Sequence, residues 1–589
     1  MRSRLLVRHF LLRFLEHDLV SPNADRHEVL AAVGGTLLSV SLFLSMLTML
    51  QYQFSNFLPP GLTSLRSLDD RFLWVSASML VMALLAVALW DSLALDARDT
   101  AVLGVLPIPR SAITRSKFVA IALLAAGTDI GWNFAPTLLR TWSLPLTLRP
   151  GFRGVVILVL SHFLTTLAAG AFGFLSVFAL REGLTAVLGR DRFSSISSTL
   201  QAILLVALTS ALLLLPGSST RVAQTWLAPN TTITKALPPL WFVGLHETMA
   251  GSVIDGLPRT RPGPLYLGNE REATALYRSL SPLYRELRRL AIAALAIVLV
   301  LTIAAAAWNS RRLPVPVVRR PRRTLAATRA WRWTVARVLA ASSLQQAGFW
   351  FTLQTLPRRV THRAVLASAT AVGLSLMIVT VREGILTIQT DVAEVPLAIL
   401  AAQSLVLASV LTGFRHAAQL PAELKASSTF SLTWNRDLRP YLSGVKRAGW
   451  IAVVLPVLAG LFVWHSIVLG VRVAILHFTT GVVFSALMIE VLFARYRRVP
   501  LVSAYVPSSD LKSRGPAYVG VVLLVSYALA WIERSALAAT PAYVFVLVGG
   551  VIGLSAGVAA FDRAQIFSPR VLDLDEDVPS PTQRLNLAG

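Results

Sequence analysis

One carboxylate in this sequence stands where a carboxylate is costly. Asp129 lies in "AAGTDIGWNFAP", midway along an apolar stretch, with Trp132 and Asn133 about one helical turn further on. A charged side chain in hydrocarbon normally faces a cavity or a partner. Asp129, Trp132 and Asn133 are therefore candidates for a translocation path, with Asp129 able to take a proton or a cation. The alternative is a structural hydrogen bond between helices. His162, Gln201, Gln403 and Glu490 also fall in or at the ends of apolar stretches, where helix–helix hydrogen bonding accounts for each.

What the chain lacks excludes other chemistry. There is no cysteine, so disulfides, thiolate metal sites and cysteine nucleophiles are ruled out. There is no G-x-x-x-x-G-K-[ST] loop and no Gly-Lys pair anywhere, so the chain lacks the usual cradle for ATP phosphates. No G-x-S-x-G elbow occurs either. "HETMAG", at His246-Glu247, carries the first two letters of a zinc helix without the second histidine, and reads as an ordinary loop pair. The nine histidines are scattered, with none at metal-ligand spacing. No catalytic, cofactor-binding or metal-binding residue is expected, and the chain is not expected to be an enzyme.

Two polar stretches have an ordered makeup instead. "LALDARDTAVLGVLPIPRSAITRSK", residues 93–117, gathers Asp96, Arg98, Asp99, Pro107, Pro109, Arg110 and Lys117 between two greasy blocks. Asp96 and Asp99 can cap and charge-complement a short helix. Leu103, Val105, Leu106 and Ile108 give it an apolar side, the prolines break it, and Ser111 can cap the helix that follows. A second stretch, Arg415–Ala448, is again mixed in charge and marked by proline, with Pro421, Glu423, Lys425 and Arg436. A mere connector needs only a few residues. Both stretches read as docking elements beneath a membrane.

The elements that must position these residues are membrane helices. The chain has 589 residues, is 55% hydrophobic and only 14% charged, and its mean hydropathy is +0.64. A spanning helix needs about 20 mostly apolar residues, and twelve such blocks can be placed. They are 29–51, 72–94, 118–138, 154–180, 195–216, 287–307, 364–381, 395–414, 448–470, 473–494, 517–533 and 542–561. The expected fold is all-α and polytopic, with both termini cytoplasmic. On that topology 38 of the 55 Lys and Arg residues lie inside, the positive-inside signature. The net charge of +25 thus reads as orientation in a lipid bilayer, not as nucleic-acid binding.

Twelve spans divide into two halves of six. Residues 1–28 form an interfacial amphipathic helix, with Val7, Phe10 and Leu11 on one face and Arg2, His9 and Arg13 opposite. The first half covers 29–307 and includes a long outside segment, 217–286, with an interfacial or re-entrant helix broken at Pro238-Pro239. A basic linker and second amphipathic helix take 308–363, the second half 364–561, and an acidic disordered tail 562–589. In the second amphipathic stretch Trp331, Val335, Val338 and Phe349 recur at helical spacing. Both amphipathic helices are expected in the cytoplasmic interface, the alternative being a helix packed on protein. "LREGLTAVLGRDRF" (Leu180–Phe193) and "ARYRRVPLVSAYVPSSDLKSRG" (Ala494–Gly515) are expected as matching loops after the fourth spans. The halves form a parallel repeat of topology.

The acidic residues, the leucine-rich turn ending "LPIPRSAITRSKF" and a third span starting at Lys117 resemble the cytoplasmic loop of type-two ABC exporter permeases. That family's layout is an interfacial helix, six spans, a coupling helix between spans two and three, and a broken outside helix before span six. The first half matches all four features over residues 1–310; the second matches the first three. Most such permeases carry one half per chain and dimerise, whereas here both are fused in one chain. The resemblance implies a permease subunit in the bacterial cytoplasmic membrane, exporting a substrate. A separate ATP-binding-cassette ATPase would dock on the two coupling stretches and supply the ATP. An ion-coupled secondary transporter using Asp129 is the alternative, and a membrane-embedded glycosyl- or acyl-transferase a third.

Overall fold

The computed structural model describes residues 2–15, most of 35–49, 60–90, 92–93, 108–148, 151–218, 222–229, 232–255, 272, 275–311, 342–388, 395–422, 439–494, 496, 499–502, 510–539 and 542–564. Among the described residues all regular structure is helical, as a lipid-embedded backbone requires. Among the described residues ten helices are long and apolar enough to cross a membrane. The chain is therefore an all-α polytopic protein. The expected first span, 29–51, lies partly outside the described residues, with 38–46 helical. The expected last span is a helix, Ala542–Ala564, whose described apolar part is the shorter Val548–Val558.

The chain forms two compact units, Met1–His17 with Pro22–Val318 and Asp18–Ser21 with Arg319–Gly589. Unit 1 contains α1 (Arg2–Leu15), α2 (Pro60–Ala88), α3 (Arg110–Leu148), α4 (Phe152–Leu188), α5 (Arg190–Ser218), α6 (Pro238–Asp255) and α7 (Ser281–Arg311). Unit 2 contains α8 (Ser343–Arg358), α9 (Val360–Ile388), α10 (Leu397–Gln419), α11 (Arg439–Gly449), α12 (Leu455–Leu469), α13 (Val471–Phe493), α14 (Asp510–Ala539) and α15 (Ala542–Ala564). A π-helical turn, Trp450–Val454, joins α11 to α12.

The same element is central in each unit. Within its most apolar window, 67% of the residues are buried in Leu65–Ala88 and 78% in Leu397–Gln419, against 44% or less in every other span. The second span is thus the hub on which the others pack. On α4, a Cβ at Gly173 would lie 2.2 Å from the Met79 carbonyl oxygen, so α2 and α4 touch backbone to backbone, as small residues permit between membrane helices. On the outside of unit 1, α7 leaves Ile297, Val300 and Leu301 exposed. In hydrocarbon such a face is the solvated one.

Several boundaries depart from the sequence expectation for electrostatic reasons. The second span was expected from residue 72, after the charges of "LRSLDDRF", yet α2 begins at Pro60 and buries Asp70 and Arg71. Proline suits a helix start, and Arg71 is tolerated because Glu247 meets it. The loop expected over Leu180–Phe193 is instead helix, broken only at Gly189, whose φ of +78° needs glycine. Arg181 and Glu182 pair with each other there, and Asn309 donates to the Glu182 carboxylate at 2.7 Å, which keeps both charges inside α4. The corresponding stretch of unit 2 is not helical at 499–502, so the two connectors do not match. The third and fourth spans of unit 2 meet at Gly470, φ +82°.

Candidate functional site

Each unit repeats one local assembly at the start of its third span. In unit 1 the apolar face of α1 packs on α3, with Phe10 buried against Ile113 and Ala120. In unit 2, α8 packs on α11, where a Cβ at Gly348 would lie 2.3 Å from the Tyr441 carbonyl oxygen and one at Gly444 2.1 Å from that of Gln345. The amphipathic helices thus bury Phe10 and Phe349 against protein. Trp331, Val335 and Val338 lie outside the described residues.

The ends of the two second spans are also anchored. Trp90, fully buried, stacks on Phe193 at 6.3 Å and donates its indole N–H to Ser197 Oγ at 2.8 Å. In unit 2, Leu501 N donates to the Ala418 carbonyl at 2.7 Å and Ala422 N to the Leu501 carbonyl at 2.8 Å. Tyr496 Oη donates to the Ala418 carbonyl at 3.2 Å. Pro421, within the second docking stretch, stands inside this clamp. In both units the polar stretch therefore leaves from a second span tied to residues just past the fourth.

Of the expected docking residues, Asp96, Arg98, Asp99, Pro107, Glu423, Lys425 and Arg436 lie outside the described residues. Pro109 is exposed, and its carbonyl accepts from Ala112 N and Ile113 N. The helix therefore starts at Arg110, and Ser111 sits within its first turn instead of capping it. Lys117 is 5% exposed, its ammonium 5.8 Å from the centre of the Phe10 ring. It packs where α1 meets α3.

A cavity of about 890 Å³ opens between α3, α4 and α7 of unit 1. That volume falls in the range of ligand pockets. Phe118, Ile121, Phe174, Phe178, Leu299 and Ile303 make its wall, Ser111, Thr114, Arg115, Ser310 and Arg311 one end, and Asp129 and Ile130 the other. Every hydrogen bond drawn by the Asp129 carboxyl falls on Oδ1, which accepts from Asn133 Nδ2 at 2.8 Å and Ser78 Oγ at 3.3 Å. Ser78 Oγ shares its one proton between that oxygen and the Thr166 carbonyl at 3.1 Å, so the cluster links α2, α3 and α4. Gly170 makes room for it, since a Cβ there would lie 2.2 Å from Oδ1. Asn133 supports Asp129 from behind and Trp132 packs near Trp74, ring centres 6.4 Å apart; of the three expected path residues, Asp129 is the one lining the cavity.

Two buried clusters escaped the sequence reading. The His246-Glu247 pair is no ordinary loop pair: both side chains are buried on α6, and Glu247 accepts from Arg71 and from Tyr277 Oη. His246 Nδ1 stands 3.3 Å from Glu247 Oε1. Burial by itself would raise the Glu247 carboxyl; Arg71, His246 and Tyr277 outweigh it and hold the group at about 2, while burial and the Glu247 charge push the Tyr277 hydroxyl up. In unit 2, His465 and His477 meet edge to face at 4.6 Å, and His477 Nδ1 lies 2.8 Å from Glu533 Oε1, which also accepts from Thr480 Oγ1 at 3.1 Å. The signal in the sequence was the twelve-residue spacing of the two histidines about Gly470.

Gln201 donates to the Val87 carbonyl at 3.1 Å, Gln403 to the His477 carbonyl at 2.7 Å, and Lys446 to Glu490 at 2.7 Å. Among the described residues no group of three or more histidine, aspartate or glutamate side chains is placed to hold a metal ion. Comparisons with protein-family models, with curated proteins and with solved structures find no match.

Proposed function

We propose that this chain is the membrane-spanning permease subunit of an ABC-type exporter. In this reading it sits in the bacterial cytoplasmic membrane with both fused halves in one chain. A separate ATP-binding-cassette ATPase docks on the stretches 93–117 and 415–448 and supplies the ATP hydrolysis. The observation that supports this best is the repeated assembly at the start of each third span. An amphipathic helix braces the third span and a fixed second span anchors the polar stretch between them, so a push on that stretch reaches two spans at once. The test is co-purification with the candidate ATPase. Reversing Asp96 and Asp99 together to arginine, or Glu423→Arg with Arg436→Glu, should weaken association and transport while the permease still inserts. One surface ion pair is worth only ~0–1 kcal/mol, so the double changes carry the test. Wild-type co-purification and transport by both would make the stretches simple connectors.

A second reading, ion-coupled transport, draws on the placement of Asp129 in the cavity wall. Asp129→Asn separates the two. An ATP-driven exporter keeps most of its transport, whereas a proton-coupled carrier loses both transport and coupling.

A further inference from the structure

The 890 Å³ cavity of unit 1 is chemically lopsided. From Arg115 to Asp129 its α3 wall runs fourteen residues, about 21 Å at 1.5 Å per residue, and the side chains that line it between them, Phe118, Ile121, Ala122, Ala125 and Ala126, are all apolar. That length exceeds the ~15 Å hydrocarbon depth of one leaflet, half of a ~30 Å core. At one end Arg115 and Arg311 enter from two different helices, together with the hydroxyls of Ser111, Thr114 and Ser310. Neither arginine forms an ion pair with a described acidic residue. Arg115 also belongs to a neighbouring cavity of about 490 Å³ between α1 and α3, to which Arg4 and Arg8 contribute. Two guanidinium groups thus stand at one end of an apolar slot, with two more in the pocket that adjoins it through Arg115, and guanidinium is the side chain best suited to phosphate oxygens.

We infer that the slot binds a membrane-derived anionic amphiphile of the phosphodiester lipid class, its headgroup on Arg115 and Arg311 and an acyl chain laid along α3 toward Asp129. Charge selects the headgroup, because a zwitterionic headgroup brings its own cation to a mouth already rich in cations. Length and apolar lining select an acyl chain over a sugar or a peptide. Basic pockets between membrane helices take anionic headgroups on the same physical grounds. As the exported substrate, this amphiphile depends on the exporter reading above; as a bound ligand, it does not.

The test uses the full-length chain in a non-ionic detergent, without ATPase or nucleotide. Binding of radiolabelled dioleoyl-phosphatidylglycerol is measured against dioleoyl-phosphatidylcholine, which has the same chains and no net charge, and against glycerol phosphate, which has the charge and no chains. Phosphatidylglycerol should bind about tenfold more tightly than phosphatidylcholine, and glycerol phosphate should not compete. Arg115→Gln with Arg311→Gln should cost about tenfold, or 1.4 kcal/mol. Ala126→Phe and Ala307→Phe, on positions that are both exposed and line the slot, should block binding of either lipid without touching a charge. Equal binding of both lipids, or phosphatidylglycerol binding unchanged in all these variants, overturns the inference, as does competition by glycerol phosphate alone. If binding passes and the reconstituted ATPase complex leaves the lipid's distribution between leaflets unaltered, the exporter reading falls and the binding site stands.

Discussion

Glu247 offers the sharpest quantitative test of the packing in unit 1. Its carboxylate and the Arg71 guanidinium are 0% and 2% exposed, so neither can turn to water if the other is lost. Holding the carboxyl at about 2 in place of 4.5 is a shift of 4.5 − 2 = 2.5, worth about 3 kcal/mol at 1.36 kcal/mol per unit. Removing one partner of a buried pair independently leads to ~3–5 kcal/mol. Glu247→Gln keeps the shape and loses the charge, and should destabilise the chain by about 3 kcal/mol. The pair Arg71→Met with Glu247→Leu should cost less than the sum of its single changes, since it leaves no orphaned charge. The folded carboxyl is depressed, so its contribution is fully present above about pH 4.5 and is lost as pH falls from there toward 2. Wild type should therefore lose about 3 kcal/mol more than Glu247→Gln across that window. Detergent-solubilised protein unfolded with SDS and followed by circular dichroism, at pH 7 and at steps down to 2.5, reads both quantities. Parallel pH curves for wild type and Glu247→Gln, or equal stability at pH 7, would refute the reasoning.

Further outcomes are expected elsewhere. Gly173→Ala puts a methyl 2.2 Å from the Met79 carbonyl oxygen, so α2 and α4 must separate; folding yield in membranes should fall sharply, while Gly183→Ala, with open space around it, should be silent. Trp90→Phe keeps the stacking on Phe193 and deletes the hydrogen bond to Ser197, a loss of ~1 kcal/mol visible as a lower thermal midpoint. The purified chain alone should show no ATP turnover, measured as phosphate release, and turnover by it in isolation would defeat the subunit reading. Reporter fusions after Leu265, Arg320 and Arg514 should read outside, inside, inside; an inside signal at Leu265 would overturn the two-half topology.

What could be read in the sequence, and what could not, follows from the range of each interaction. The helical blocks were legible because hydropathy is summed over neighbours in sequence. Asp129 stood out from the cost of a carboxylate in hydrocarbon alone, and it lines the cavity. The start of α3 beside Pro109 was legible to within two residues, since proline acts on its own backbone. The charges of α2 misled, because Arg71 looks like the edge of a span until Glu247, 176 residues away, is brought to it. His465 and His477 looked scattered for the same reason: the tight turn at Gly470 folds one span back on the other. The mouth of the cavity was hidden too, as Arg115 and Arg311 come from helices far apart in the chain.

The single-residue joint at Gly189 turns α4 and α5 into a crank. A flexible loop would let the end of one helix move while its neighbour stayed still; one glycine leaves no slack to absorb the motion. Phe193 and Ser197, just past the joint, hold Trp90, so three shafts are pinned within a few residues of one another. Movement imposed on the stretch after Trp90 must be delivered as rotation of the whole linkage. The same rigidity makes this corner a poor place for an inserted tag or protease site, and an extra residue beside Gly189 would put the throw of the crank out of phase with its bearings.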